Sequence, residues 1–440
     1  MTRLLQISPA WEGLGEGSPE ERSCFAAIGI FANGICLTEG HDTIANRLRQ
    51  APYLSAYHLA EWFAWNWWRL RWEPRSMSRD WDLAHQMASI GEGYIWPDLK
   101  IFSDGLRTAL ISRPGREQEY SPYRYITDSA AILPSGDFET AVDQFVTQVL
   151  ERLDACDVRG SNLSTLWDEL RLERQDFELA RARKIEALFG LAPDQLDDAT
   201  REAFLARDDE YGEGAIDELA ADYGNTNSSA VNRPDDLVEE ARINGYPTTP
   251  ANIVALQIDQ RELSGTPAWK IGETMAKALR AQEKLGDDSP LSDTVLTELL
   301  AVDPTALNET TITGSGISWL HAADGGHGKV MLRSRWQTGR RFELARLLGD
   351  CLLAKKGTLH PATRAYTYRQ KMQRAFAAEL LSPFSAVFAQ LKGDYSNEAQ
   401  ADVAAYFKVS ELTVRTQLVN HQILERDHLD GDAEKWNFAA

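Results

Sequence analysis

Residues 54–72 constrain the fold more than any other stretch. Large apolar side chains recur at 59, 62, 63, 65, 68, 70 and 72, and five tryptophans fall within the eleven residues from Trp62 to Trp72. The length suits a helix rather than a strand, and Pro74 ends it. A helix apolar on so many sides has to be buried. The segment therefore predicts an aromatic core for its domain, with Trp62, Trp65 and Trp68 inside. The competing reading is a stacking or protein-docking surface, with Arg69, Arg71 and Arg75 beside the tryptophans. Trp67, Arg69 and Trp72 are its candidate recognition residues, and at least one of them is expected at a surface.

Turn chemistry supplies the strands around that helix. Asn33-Gly34 between Ala26–Phe31 and Ile35–Leu37 predicts a hairpin, and Asp104-Gly105 joins expected strands near Tyr94–Phe102 and Arg107–Ser112. Residues 1–134 thus read as a Trp-rich α+β domain. Residues 135–264 read as a helical middle region. Asp137 is placed to cap a helix whose apolar face is Phe138, Val142, Phe145, Val149 and Leu153. Thr165 with Asp168 opens a second helix expected to run to Phe189, where Gly190 stops it. From Asp194 to Asp222 eleven acids stand against two arginines, which predicts a solvated helix face or, more sharply, a docking site for a basic partner. The Gly/Asn/Ser-rich stretch from Tyr223 to Arg233 marks a boundary or loop.

Residues 265–440 are more regular. Helices are expected near Ala268–Leu285 and on to Ala301, and short strands at Ile317–Leu320 and Lys329–Arg335 around Asp324-Gly325-Gly326. Two long helices and two short ones, Glu398–Phe407 and Ser410–Asn420, complete the chain. The fold class is α+β, predominantly helical.

The formal net charge of −20 disfavours nonspecific nucleic-acid binding, which needs Lys and Arg to neutralise phosphates. No uncharged apolar run is long enough to span a membrane. The N-terminus lacks the apolar core of a signal peptide, and the four cysteines have no metal-type spacing. A reduced, cytoplasmic protein is expected.

The segment Arg341-Phe342-Glu343-Leu344-Ala345-Arg346-Leu347-Leu348-Gly349-Asp350 bears on chemistry. A His-Glu-x-x-His zinc helix sets two imidazoles one turn apart on one metal, with the Glu activating water. The register is supplied by Phe376-Ala377-Ala378-Glu379-Leu380-Leu381-Ser382-Pro383 and by Asp402–Ser410. These segments, with the frame residues Arg341, Phe342, Leu344, Ala345, Leu348 and Gly349, resemble the ImmA/IrrE-like metallopeptidase family over roughly residues 265–425. The resemblance puts Arg346, Leu347 and Asp350 in the His, Glu and His slots. Met372 takes the slot of the third ligand and Arg374 that of a conserved-pattern Asn. Arg346 cannot ligate zinc and Leu347 cannot take a proton. The resemblance therefore implies a degenerate peptidase-like C-terminal domain with a small β-element. It implies no catalytic residue, no metal and no cofactor. Its groove would lie between the two long helices, with Arg346, Arg374 and Glu379 as candidate recognition residues. Arg346 is expected to pair with Asp350, at i+4, or with Glu379.

Other chemistry is weaker. No two of His321, His327, His360, His421 and His428 stand four apart, Asp324–Lys329 lacks the spacing of a phosphate loop, and Cys351 reads as a small apolar residue in a helix. Asp402–Leu418 resembles a helix-turn-helix. Ser410 is its cap, Val414 and Leu418 its inner face, and Thr413, Arg415, Thr416 and Gln417 its potential DNA readers. Against this, residues 395–440 hold eight acids and four bases. The expectation is a non-catalytic, regulatory, protein-binding pseudoenzyme. Through the resemblance, a setting in stress, mobile-element or anti-phage control is implied. The alternatives are a zinc-dependent or other hydrolase with an unrecognised site, and a DNA-binding regulator.

Overall fold

The computed structural model describes residues 4–76, 79–115, 121–226, 231–256, 266–308, 315–322, 326–353 and 357–425. It is 52% helical and 17% strand, an α+β protein that is predominantly helical. The chain divides into two compact units: residues 1–201 with 223–227, and residues 202–222 with 228–440. The 135–264 stretch, expected as a region of its own, is therefore shared between them. Among the described residues no helix is long and apolar enough to cross a membrane.

In the first unit, β1 (Leu5–Trp11), β2 (Phe25–Ala32) and β3 (Ile35–Cys36) form an antiparallel sheet with β6 (Tyr53–Ser55) also on β2. The expected hairpin turns at Asn33 (φ 50°) and Gly34 (φ 83°), both left-handed as such a turn requires. Strands β4 (Gly40–Asp42), β5 (Arg47–Arg49) and β9 (Tyr123–Tyr125) make a second sheet. A third is built from β7 (Asp98–Ser103), β8 (Arg107–Arg113) and β10 (Ser129–Pro134), with Gly105 at the β7–β8 turn.

The tryptophan segment is two helices, not one: α1 (Ala56–Trp65) and α2 (Trp67–Trp72). Asn66, at φ −103° and ψ 8°, turns its side chain back onto the Trp62 carbonyl and offsets the second helix from the first. The offset explains a failure of the periodic reading. Trp62 and Trp68 are buried as expected, but Trp65 is 58% exposed, while Trp67 is 4% exposed. The guanidinium of Arg174 lies 4.4 Å above the Trp67 ring.

Helix α3 (Ser135–Ala155) buries the expected face, Phe138, Val142, Phe145, Val149 and Leu153, in the same core. It starts after Pro134, without Asp137 as a cap. The following helix was expected from Thr165 to Phe189 and is again two. Ser161 caps α4 (Asn162–Gln175), and Asp176 caps α5 (Phe177–Leu188) by accepting from the Leu179 amide at 3.0 Å. Gly190 (φ 77°) ends it as expected.

The second unit carries one antiparallel sheet in the order β11 (Tyr246–Thr248), β13 (Gly328–Met331), β12 (Ser318–Ala322), β14 (Leu359–Ala362). Part of the expected Asp324-Gly325-Gly326 turn, and residues 227–230 of the expected Tyr223–Arg233 boundary, lie outside the described residues. Its helices include α6 (Glu213–Thr226, through Asp222), α7 (Ala268–Gln282), α8 (Gln337–Leu353) and α9 (Tyr368–Leu381). They are followed by α10 (Phe384–Leu391), α11 (Asn397–Phe407) and α12 (Glu411–Asn420).

Helix α9 is clasped from two sides at glycines. A Cβ on Gly272 of α7 would stand 2.4 Å from the Met372 carbonyl oxygen, and one on Gly349 of α8 would stand 2.6 Å from the Phe376 ring. Only a residue without Cβ allows these approaches. Phe376, Leu344, Leu348 and Leu380 fill the contact and are fully buried. Ser410 caps α12, and Val414 and Leu418 face inward, as read from the sequence.

Candidate functional site

The polar centre of the second unit lies where α8 and α9 meet the turn after β14. Thr367 caps α9 by accepting from the Gln370 amide at 3.1 Å. The helix it starts presents Gln370 and Gln373, one turn apart and both 0% exposed, to the Arg346 and Asp350 turn of α8. Arg346 Nη2 donates to the Thr363 carbonyl at 2.7 Å, to Gln373 Oε1 at 3.4 Å and to Gln370 Oε1. Gln370 Oε1 also accepts from the Thr363 amide at 3.0 Å, and Gln370 Nε2 donates to the Pro361 carbonyl at 3.1 Å. Gln373 Nε2 bridges Asp350 Oδ1 at 2.7 Å and the Pro361 carbonyl at 3.1 Å.

Asp350 is fully buried and saturated with donors. Arg369 grips both oxygens, with Nε at 2.7 Å and Nη2 at 2.5 Å, and His360 Nδ1 lies 2.9 Å from Oδ2. Burial alone would raise this carboxyl. The Arg369 charge and hydrogen bonds, helped by His360, override it and hold Asp350 well below the usual carboxylate range. On α6, Glu218 accepts from Thr367 Oγ1 at 2.7 Å, and Asp222 accepts from the Arg364 amide at 2.9 Å. Burial pushes Glu218 up to about 7 despite the nearby Arg369. These two acids come from the run read as a solvated face; at 3% and 4% exposure they are interior.

The expected ion pairs of Arg346 do not form. Asp350, one turn away on the same helix, is taken by Arg369 from α9. Glu379 accepts from the Phe384 amide at 3.0 Å and has Lys277 at 3.9 Å. Leu347 is in the apolar core, as is Met372. The resemblance puts Met372 in the third-ligand slot, but Arg369, Gln370 and Gln373 are the α9 residues bonded to Arg346 or Asp350. Among the described residues no group of three or more His, Cys, Asp or Glu is placed to share a metal ion. The pattern missed in the sequence was the Gln370–Gln373 pair at i, i+3 on an otherwise apolar helix face, with Arg369 beside it.

The remaining candidates are placed as follows. Arg374 Nη2 donates to the carbonyls of Thr363 and Ala365 at 3.2 and 2.9 Å. In the first unit Arg69 is turned to Glu73 at 2.6 Å, which also holds His85 at 2.9 Å. Trp72 is half-buried between the Arg71 guanidinium at 3.7 Å and the Lys184 ammonium at 4.5 Å. Of the would-be DNA readers, Arg415 donates to Gln400 and Asn397, and Gln417 to the Ser382 carbonyl. A surface groove of about 600 Å³ is lined by Trp269, Lys270, Glu273, Asn420 and His421, with the His421 ring stacked 3.5 Å from that of Phe384.

No family model, curated protein or solved structure matches this chain.

Proposed function

We propose that this chain is a non-catalytic binding or regulatory protein, whose C-terminal unit keeps the packing frame of an ImmA/IrrE-like domain without its chemistry. One observation carries this reading. The positions where that family would hold its metal and its water activator are occupied by Arg346, Asp350 and Leu347. Arg346 and Asp350 are locked into a hydrogen-bonded lattice with Gln370, Gln373, His360 and Arg369, and Leu347 is core. A buried lattice of this kind rigidifies a fold and engages the Asp350 carboxylate and the His360 imidazole with each other, where a catalytic acid or base would have to be free. The partner is a protein, and the setting is stress, mobile-element or anti-phage control.

The test is metal analysis and a proteolysis assay on the purified full chain, followed by cross-linking in the native host. The reading expects zinc well below stoichiometric and no cleavage of the cross-linked partner. Stoichiometric zinc, or cleavage abolished by one carboxylate substitution, overturns it in favour of a hydrolase. Salt-dependent binding of duplex DNA that is lost on changing Thr416 or Arg415 would favour the DNA-binding alternative.

A further inference from the structure

Two guanidiniums in the second unit, Arg346 and Arg374, bond to carbonyl and amide oxygens and to no carboxylate among the described residues. Arg346 Nη2 and Arg374 Nη2 donate to the same acceptor, the Thr363 carbonyl, at 2.7 and 3.2 Å. The two cations are thus held side by side, and among the described residues neither has a carboxylate within ion-pair distance. Arg346 is 7% exposed, and its Nε is buried with no hydrogen-bond partner. Arg333 Nη1 is likewise buried and unpartnered, and its charge bears on both of the others. The nearby acids are engaged: Asp222 by the Arg364 amide, Glu218 by Thr367, and Glu343 by the amides of Arg333 and Ser334 at 3.0 Å and by Arg333 Nε at 3.5 Å, which leaves Arg333 Nη1 unmet.

Buried like charges sharing one neutral acceptor are costly, and they persist where something offsets them. Burial pulls both guanidiniums below their usual range, helped by the Arg374 and Arg333 charges at Arg346 and by the Arg333 charge at Arg374, the direction an unmet anion would reverse. The cluster is not sealed. Arg374 is half-buried, Arg333 keeps 26% of its side chain exposed, and Tyr366, whose ring lies 5.7 Å from the Arg374 guanidinium, is 44% exposed.

We propose that Arg374 and Arg333, backed by Arg346, bind the phosphoryl group of a small phosphorylated ligand at the Thr363–Tyr366 turn. A phosphoryl group fits better than a carboxylate. It brings close to two negative charges and three acceptor oxygens at neutral pH, against one charge and two oxygens. Guanidinium forks match its geometry. Free phosphate and a nucleoside monophosphate share this chemistry. Exposed Tyr366 offers a stacking face that only the second would use.

The experiment is a thermal melt with calorimetric titration of the full chain. The ligands are inorganic phosphate and adenosine monophosphate, against sodium chloride at matched ionic strength. The site predicts saturable stabilisation by phosphate beyond that of chloride. Tighter binding of the nucleotide, lost in Tyr366→Ala, identifies a base-bearing ligand; equal binding identifies the phosphoryl group alone. Arg374→Gln should weaken binding at least about tenfold, the loss of one charge-assisted contact. Should Arg374→Gln not fold, Arg333→Gln, at a partly exposed position, serves the same purpose. Stabilisation no greater than chloride's, or binding untouched by both substitutions, overturns the proposal. Zinc or proteolysis would overturn the reading of the preceding section and leave this one standing.

Discussion

Asp350 is bound by Arg369 across the α8–α9 contact, Nε to Oδ1 at 2.7 Å and Nη2 to Oδ2 at 2.5 Å, and not by Arg346 one turn before it. A bidentate guanidinium from the facing helix satisfies both carboxylate oxygens at once. An i, i+4 pair on one helix offers a single flexible contact. The geometry ties the two helices together at the polar centre of the unit.

That tie should be expensive to break from one side only. Arg369→Met leaves Asp350 charged and buried, and is expected to destabilise the second unit by about 3–5 kcal/mol. Asp350→Leu added to it should recover part of the loss. Urea unfolding of both variants measures this. A single variant within about 1 kcal/mol of wild type would show the pair to be energetically idle.

The α8–α9 contact itself depends on Gly349. Alanine there gains up to about 1 kcal/mol of helix propensity. Its methyl, however, would stand 2.6 Å from the Phe376 ring, so the ring must move. A net loss of about 1–3 kcal/mol is expected. Combining Gly349→Ala with Phe376→Leu should cost less than the sum of the two single changes, because they share one space.

Stability should fall as pH rises through the weakly acidic range. Burial raises both Glu218 and Glu379 from 4.5 to about 7. The folded state therefore holds protons that the unfolded chain releases. Stability is greatest below the unfolded value of 4.5 and is lost as pH climbs to about 7, on the order of a few kcal/mol for each group. Asp350 acts oppositely: its stabilisation is complete above the ordinary carboxylate range and is lost only as pH falls well below it. Thermal melts from pH 5 to 8 should show the decline, and Glu218→Gln should flatten it. A melt that is level across this range, or that rises with pH, contradicts it.

Writing the residues of the resembled peptidase family into this chain should not build a metal centre. Arg346→His, Leu347→Glu, Asp350→His and Met372→Glu together place a Glu in the apolar core and another on the face of α9 away from Gln370 and Gln373. The expected result is a destabilised protein without stoichiometric zinc, read by circular dichroism and metal analysis. A folded variant holding one zinc per chain would show that Met372 can reach the α8 positions after all.

Much of the fold was legible because its signals are local. Asn33-Gly34 and Asp104-Gly105 make turns by their own backbone preferences. The α3 face and the Ser410 cap follow from periodicity and from side chains reaching amides three residues on. The same kind of signal misled where a polar residue could interrupt a periodic run. Asn66 and Asp176 each split what read as one helix, and the first split turned Trp65 outward and Trp67 inward.

The sequence by itself determined that this is a mostly helical α+β chain and that α8 lacks the groups of a zinc helix. It could not say which partners Arg346, Asp350 and Glu218 would take. Those partners come from residues 10 to 149 positions away, such as His360 for Asp350 and Thr367 for Glu218. Turns and caps are decided by the energies of a few neighbouring residues. The pairing of a buried charge is decided only when burial removes water and leaves it whichever donors the packed helices have brought within reach.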